Sequence, residues 1–374
     1  MRFLSVTTSY GLHTQQEESD EEFTAAVVDL IFEREIFIIR HLVTEDLMKR
    51  VILAVSLLLL LSFSVASAQL NKMTVGYSAI TAAHLPAWLA KETGIFAKNG
   101  LDVQLVYVRG GATVMMALLS RETPISQVGG SSIVSASLRG ADAVMIAGGN
   151  ATSDQWLMSR PEIKTAEQLK GGSVAIAVFG GTSDSLARIA LKRLGLTPVK
   201  DVAILQIGGV PERLSALEKG KVQAAMLASP DSFIAEKKGF YTLVQVSLPY
   251  QTTSVATTRR FIRESPDIVR RYVKSQIEAI HRIKTDRETG KTVLAKYLGS
   301  QDKVILERTY DLTSADDKLP PKQYPTLEGI KNILEPLAQT DPKAKAAKPE
   351  DFVDMSFIKE LDQSGYIDSL YKKK

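Results

Sequence analysis

From Asn71 onward, short β-branched or apolar runs alternate with stretches of helical periodicity, and this alternation constrains the fold more than anything else in the 374 residues. Strands are predicted over 73–77, 101–108, 125–128 and 143–147, with helices over 86–92, 112–120 and 131–138 between them. A second cycle follows: helices over 165–170, 182–194, 211–219 and 231–237 interleave with strands over 173–178, 202–206, 222–227 and 243–246. After a last strand at 253–257 the pattern is almost wholly helical from Pro266, apart from a Lys-, Ala- and Pro-rich stretch at 342–349 that is expected to be an exposed loop. Parallel strands need crossover connections, usually helices, so the text predicts an α/β protein whose mostly parallel sheets are flanked by helices, with a helical C-terminal part. Two cycles imply two lobes. Residues 69–158 begin lobe I, 159–248 form an inserted lobe II, and 249–374 return to complete lobe I. Two such crossings make a hinge, and the cleft between lobes is where a small ligand sits.

The chain has no cysteine, which excludes disulfides, thiolate metal sites, a Cys nucleophile and a lipid anchor on a processing-site cysteine. From Met48 the text reads Met48-Lys49-Arg50, an apolar run from Val51 to Val65, then Ala66-Ser67-Ala68. A basic start, a short apolar core and an A-x-A end describe a secretory signal peptide, cleaved after Ala68. The 15-residue run is short for a membrane span of about 20. Residues 1–47, with the acidic run from Glu17 to Glu22, resemble no signal n-region and read as an upstream extension from a mis-assigned start codon. The mature part, lacking 5 of the 46 basic and 10 of the 42 acidic residues, carries a net charge of +9. That field favours anions. No basic stripe interleaved with aromatics suggests nucleic acid.

In open α/β sheets, ligands bind beyond the carboxyl ends of the strands. Those positions hold Ser78-Ala79-Ile80-Thr81, Arg109-Gly110-Gly111-Ala112-Thr113, Gly129-Gly130-Ser131-Ser132, Phe179-Gly180-Gly181-Thr182-Ser183-Asp184, Gly208-Gly209 and Ala228-Ser229-Pro230. Small residues let backbone approach a ligand, and helix N-termini with hydroxyls hold carboxylate, sulfonate or phosphate oxygens. The candidate ligand-binding set is Tyr77, Ser78, His84, Gly110, Gly111, Ala112, Gly130, Ser131, Ser132, Gly181, Thr182, Ser183 and Ser229, with Ser131 and Thr182 as candidate N-caps on opposite lobes. Asp154 and Glu212 are possible cleft carboxylates for which a surface or capping role is the ordinary reading. Trp156, Phe179 and Tyr250 could stack on a ligand, but core packing is the default for an aromatic. Catalytic machinery is thin: two mature-chain histidines, His84 and His281, and no H-E-x-x-H, G-x-S-x-G, Walker A or dinucleotide motif. No metal or cofactor is expected.

The run Leu85-Pro86-Ala87-Trp88-Leu89-Ala90-Lys91-Glu92-Thr93-Gly94-Ile95-Phe96, then Asn99-Gly100-Leu101-Asp102-Val103, resembles the opening of nitrate/sulfonate/taurine-type substrate-binding proteins of ABC importers. Gly110-Gly111-Ala112, Gly129-Gly130-Ser131, Ser159 to Lys164 leading into Leu169-Lys170-Gly171, and Leu217 to Ala225 extend the resemblance over about residues 71–300. It implies a type II periplasmic-binding-protein fold that closes on its ligand, a monomer with no enzymatic activity, and an ABC permease as partner. Gln223 departs from the family's usual Asp in a G-x-V-D-A stretch near a strand start. Fungal thiamine-pyrimidine synthases share the scaffold but rely on a cysteine-rich motif absent here. An enzyme of the same fold and a periplasmic sensor remain the alternatives, and the ligand itself is not legible.

Overall fold

Two five-stranded sheets organise the chain, each built to the same plan. The computed structural model describes residues 27–37, 50, 52–53, 70–339 and 341–372. The chain divides into two units, Met1–Ala68 and Gln69–Lys374. In the first, residues 27–37 form a helix; the expected leader and its cleavage site lie outside the described residues except for Arg50, Ile52 and Leu53. No helix among the described residues is long and apolar enough to cross a membrane.

In the second unit the strands are β1 Asn71–Tyr77, β2 Leu101–Tyr107, β3 Ile125–Val128, β4 Ala143–Gly148, β5 Thr152–Ser159, β6 Ser173–Ile176, β7 Ala203–Gln206, β8 Ala224–Ala228, β9 Tyr241–Pro249 and β10 Ser254–Thr258. Its helices of eight residues or more are α1 Leu85–Glu92, α2 Gly111–Leu119, α3 Gly130–Leu138, α4 Thr182–Arg193, α5 Val210–Glu218, α6 Pro266–Thr285, α7 Arg287–Leu298, α8 Lys303–Ser314, α9 Leu327–Leu337 and α10 Ser356–Gln363.

The first sheet runs β2-β1-β3-β10-β4 and the second β7-β6-β8-β5-β9. β1 is parallel to β2 and β3, whereas β10 is antiparallel to β3 and β4, so four strands point one way and β10 the other. The second sheet repeats this with β5 as the reversed strand between β8 and β9. Each reversed strand is the one that has just arrived from the other sheet: β5 follows β4, and β10 follows β9. The first crossing therefore lies at 149–151, not at the expected 158–159 boundary, because β5 belongs wholly to the second sheet. The second crossing is 250–253. The crossings are tied together. Tyr250 N–H donates to Ala151 O (2.9 Å), Thr252 N–H to Asn150 O (2.9 Å) and Asn150 N–H to Thr253 Oγ1 (3.0 Å).

The C-terminal part braces this junction, with Ala151 N–H donating to Lys318 O (2.8 Å) and Thr326 N–H to Gln251 Oε1 (2.7 Å). The expected loop at 342–349 instead contains a short helix, Pro342–Ala346, because Asp341 caps it at Lys343 N–H and Ala344 is buried. Packing follows the apolar periodicity. In α6, Val269, Val273, Ile277 and Ile280 recur every three or four residues and are fully buried. Trp88 of α1 is fully buried and stacks on Tyr297 at 4.7 Å; truncation to Ala would cost about 3–5 kcal/mol. One apolar cluster spans both lobes, from Val114 and Ile133 to Leu157 and Leu186.

Candidate functional site

Between the lobes lies a cavity of about 110 Å³, lined by Ser78, Thr81, His84, Asn150, Asp154, Gln155, Thr182, Ser183, Arg213, Ser229 and Thr253 among others. Four helices start on it. α2, α3, α4 and α5 have Gly110, Gly129, Gly181 and Gly209 as N-caps, and all four glycines line the cavity. A glycine offers no side chain to its helix's first turn, although Gln251 O takes the Gly130 N–H of α3 and the first turns of α4 and α5 carry Asp184 and Glu212. Six helix starts elsewhere are closed by side chains: Thr165, Thr258, Asp286, Asp302, Thr326 and Asp341 each accept a first-turn N–H. The expected capping by Ser131 and Thr182 does not occur. Gly129 and Gly181 occupy the cap positions, which leaves Thr182 as the first residue of α4 and Ser131 as the second of α3.

Those two hydroxyls meet each other instead, 3.3 Å apart across the lobes. Closeness here demands glycine: a Cβ on Gly129 would overlap the Thr182 hydroxyl, and one on Gly110, at φ +84°, would come 2.9 Å from the Val178 side chain. Arg109 and Glu212 also pair across the mouth at 3.2 Å, but both are about half exposed, so the pair contributes little.

Arg213 is the charge in the wall. Its side chain is 3% exposed, and its Nε and Nη1 donate to the Met226 and Gly208 carbonyls at 2.8 and 2.6 Å. Burial lowers its pKa to about 10, so it stays protonated at neutral pH; Asp231 and Glu212 act on it only at longer range. Burial likewise raises the Asp231 carboxyl to about 6 against the pull of Arg213. Asp154 is already matched by Lys318 at 2.9 Å, and burial pushes its carboxyl up despite that partner. His84, 1% exposed, is driven down to about 3 by burial and is therefore a neutral ring. Its Nε2 lies 3.5 Å from Ser78 Oγ, and its Nδ1 has no hydrogen-bond partner among the described residues. Gln155 Oε1, also buried, has none either.

Of the residues expected from sequence, Ser78, His84, Gly110, Gly111, Gly181, Thr182, Ser183 and Ser229 line the cavity. Tyr77, Ala112, Gly130, Ser131 and Ser132 do not. Tyr77 packs edge-on to Trp88 at 5.8 Å, and the Gly130 N–H is taken by Gln251 O at 2.8 Å. Tyr250 is core, Trp156 packs against Phe233, and Phe179 is exposed. Gln223 sits away from the cavity, accepting from Ser173 N–H and Oγ at 2.9 Å. Thr81, in the first strand-end turn, lines the cavity as well; the polar lining residues not expected from sequence are Asn150, Thr152, Gln155, Arg213, Thr252, Thr253 and Thr313. Among the described residues no group of His, Asp and Glu could hold a metal ion.

A two-lobed frame with paired crossings and a cavity between sheets defines the periplasmic-binding-protein fold. The chain belongs to the NMT1-like family, whose model matches residues 66–299. It is 24% identical over 220 residues to YtlA of Bacillus subtilis, named as a candidate binding protein; the match covers 56% of this chain and only 65% of that relative's length. Two solved structures share the fold. The alkanesulfonate-binding protein SsuA of Xanthomonas axonopodis, bound to MOPS, superposes with a TM-score of 0.64 at 18% identity, covering 78% of this chain and 100% of that one. The periplasmic nitrate-binding protein NrtA of Synechocystis gives 0.68 at 14% identity, covering 82% and 92%.

Proposed function

We propose that this chain is a solute-binding protein that captures a small organic anion between its lobes and delivers it to an ABC-type permease, without catalysing a reaction. The observation that carries this reading is Arg213: a buried cation in the cavity wall, hydrogen-bonded among the described residues to the neutral Met226 and Gly208 carbonyls, where four glycine-capped helix starts converge. A buried cation without a hydrogen-bonded counter-charge is costly; Asp231 offsets that only at longer range, and an anion in the cavity would offset more of it. The neighbours named for sulfonate and nitrate fit the same chemistry. In this reading the exported form is a monomer beginning at Gln69, and the bonds between the lobes belong to its closed state. Ser78, Gly110, Gly111, Gly181, Thr182 and Ser183 contribute hydroxyl and backbone donors.

The test is calorimetry of the purified chain against alkyl and aryl sulfonates, carboxylates and nitrate, beside Arg213→Met. At least one anion is expected to bind saturably, and the variant to lose about 100-fold or more in affinity. Failure of every anion to bind would overturn the reading.

A further inference from the structure

Resting on that reading, we infer that α8 is a latch: it belongs to the first lobe, grips the second, and favours closure to the same degree whatever anion lies between them. Its attachment to the first lobe is firm. Leu306 and Tyr310 are buried in that lobe's core with Trp88 and Ile283, and Arg287 of α7 pairs with Glu307 and Asp311, both at 2.6 Å. α8 therefore moves with the first lobe.

Its grip is on the short helix Asp231–Lys237, which packs on α5, β5 and β8 of the second lobe. Arg308 Nη1 meets Glu236 at 2.6 Å, and the same guanidinium lies 3.9 Å from the centre of the Phe233 ring. Phe233 is buried and packs edge-on to Trp156, so the ring is a fixed seat for the cation. Lys237 Nζ meets Asp302 Oδ2 at 2.8 Å. Asp302 is also the N-cap of α8: its Oδ1 accepts the Val304 and Ile305 N–H groups at 3.1 Å, which holds Oδ2 in place for Lys237. A single exposed ion pair such as Arg109–Glu212 contributes little, but two pairs and a cation–π contact between the same two helices act as a network.

The latch adjoins the cavity without entering it. Leu312 and Thr313 of α8, and Ser229 just before the short helix, line the cavity, so lobes that part on this flank must break the latch. Phe233, Glu236, Lys237, Asp302 and Arg308 do not line it. They distinguish the closed form from the open one, but not one ligand from another. A contact that changes only the closed fraction changes every ligand's apparent affinity by the same factor.

The test begins without any ligand. The chain has no cysteine, so spin labels can be placed at chosen sites. Lys200→Cys on the second lobe, combined with Lys72→Cys or with Lys359→Cys on the first, reports interlobe distances from exposed positions of the intact chain. Pulsed EPR at low salt is expected to find a closed population whose ratio to the open one falls about fivefold in Arg308→Gln. The same ratio should fall in the parent chain as salt screens the pairs. The charge swap Glu236→Arg with Arg308→Glu rebuilds the ion pair without the Phe233 contact and should recover part of the loss. Calorimetry with methanesulfonate, benzenesulfonate, acetate and nitrate gives the second readout: every anion that binds should lose the same factor in Arg308→Gln, within about twofold. Unfolding midpoints establish that the variants fold. Interlobe distances unchanged in Arg308→Gln would overturn the latch, as would a swap that recovers nothing or losses that differ from anion to anion. Binding by no anion would overturn the proposed function, and the distances would still decide the latch.

Discussion

The two walls of the cavity are made of different materials. The first-lobe wall offers Ser78, Thr81, a neutral His84 and the backbone of Gly110, Gly111 and Gly129; the second-lobe wall carries Arg213, Asp154 and Gln155 beside Gly181, Thr182 and Ser183. One wall can hydrogen-bond and shape itself to a ligand. The other can also hold charge, and behind it Asp231 feels the same cation. Under the proposed function this difference would divide the labour, with second-lobe residues setting the affinity for an anion and first-lobe residues completing the enclosure. Arg213→Met should therefore weaken anion binding by about 3–5 kcal/mol, whereas Ser78→Ala should cost about 1 kcal/mol. Calorimetric affinities for the two variants in parallel check this. Equal losses would break the comparison.

The walls should also respond to pH with opposite signs. The folded pKa of His84, about 3, is depressed below its ordinary 6.5, so burying the neutral ring stabilises fully above pH 6.5. That contribution drains away as pH falls from 6.5 towards 3. The Asp231 carboxyl is raised from 3.8 to about 6, so the folded state holds its proton more tightly than the unfolded chain does. Its contribution is complete below pH 3.8 and is lost as pH rises through 6. Between pH 4 and 6 the two oppose each other. Asp231→Asn should make the acid loss of stability steeper across that window and raise stability at pH 7 by on the order of 2–3 kcal/mol. Denaturant unfolding at pH 4, 5, 6 and 7 measures both. A variant with the wild-type slope would show that Asp231 ionises as an ordinary surface carboxylate.

A third variant probes how closely the walls approach. Gly129→Ala places a methyl on the Thr182 hydroxyl of the other lobe, and 3.0 Å from Thr252 O in the second crossing; the Thr182 clash requires the lobes to be together. Affinity should fall about tenfold, roughly 1–2 kcal/mol, with a larger radius of gyration in scattering at saturating ligand. A wild-type radius and affinity would mean that the lobes close without this contact.

These contrasts also explain what the sequence could and could not disclose. The paired α/β cycles were legible because their strands are buried on both faces and read as apolar runs, as in Ala143–Gly148, where every residue is buried. β5 escaped because its first half, Thr152 to Gln155, is polar: it leaves the crossing, and Thr152, Asp154 and Gln155 line the cavity, so polar residues replaced the apolar strand periodicity. Missing the strand also moved the lobe boundary and hid Gln155. Arg213 escaped for another reason. Beside Glu212 near the start of an amphipathic helix it reads as a solvated charge, and only tertiary packing buries it. The Gly208-Gly209 turn before it was the available signal. Glycine and hydroxyl turns at strand ends were readable because backbone geometry ties them to that end of a sheet. Which hydroxyl faces the cavity depends on helix phase, and there Ser131 and Thr182 part company.

That parting supports the smallest prediction. Thr182 lines the cavity and Ser131 does not, although their hydroxyls lie 3.3 Å apart. In an opened form both would be hydrated, so their mutual bond contributes at most about 1 kcal/mol to closure. Ser131→Ala loses that bond and should weaken binding by about fivefold or less. Thr182→Ala removes the same bond and also a hydroxyl facing the ligand, so it should lose somewhat more, and Thr182→Ser should restore most of it. Neither residue is a cap, so the roughly 1 kcal/mol fall in folding stability expected of a lost N-cap should be absent from both. Affinities from calorimetry and unfolding free energies from denaturant titration separate these terms. If Ser131→Ala costs as much affinity as Thr182→Ala, the hydroxyl pair acts as a unit and the second-lobe wall extends onto α3. If Thr182→Ala loses no more than Ser131→Ala and Thr182→Ser restores nothing, hydroxyl chemistry plays no part in ligand contact, and Arg213 with the helix starts carries the charge recognition alone.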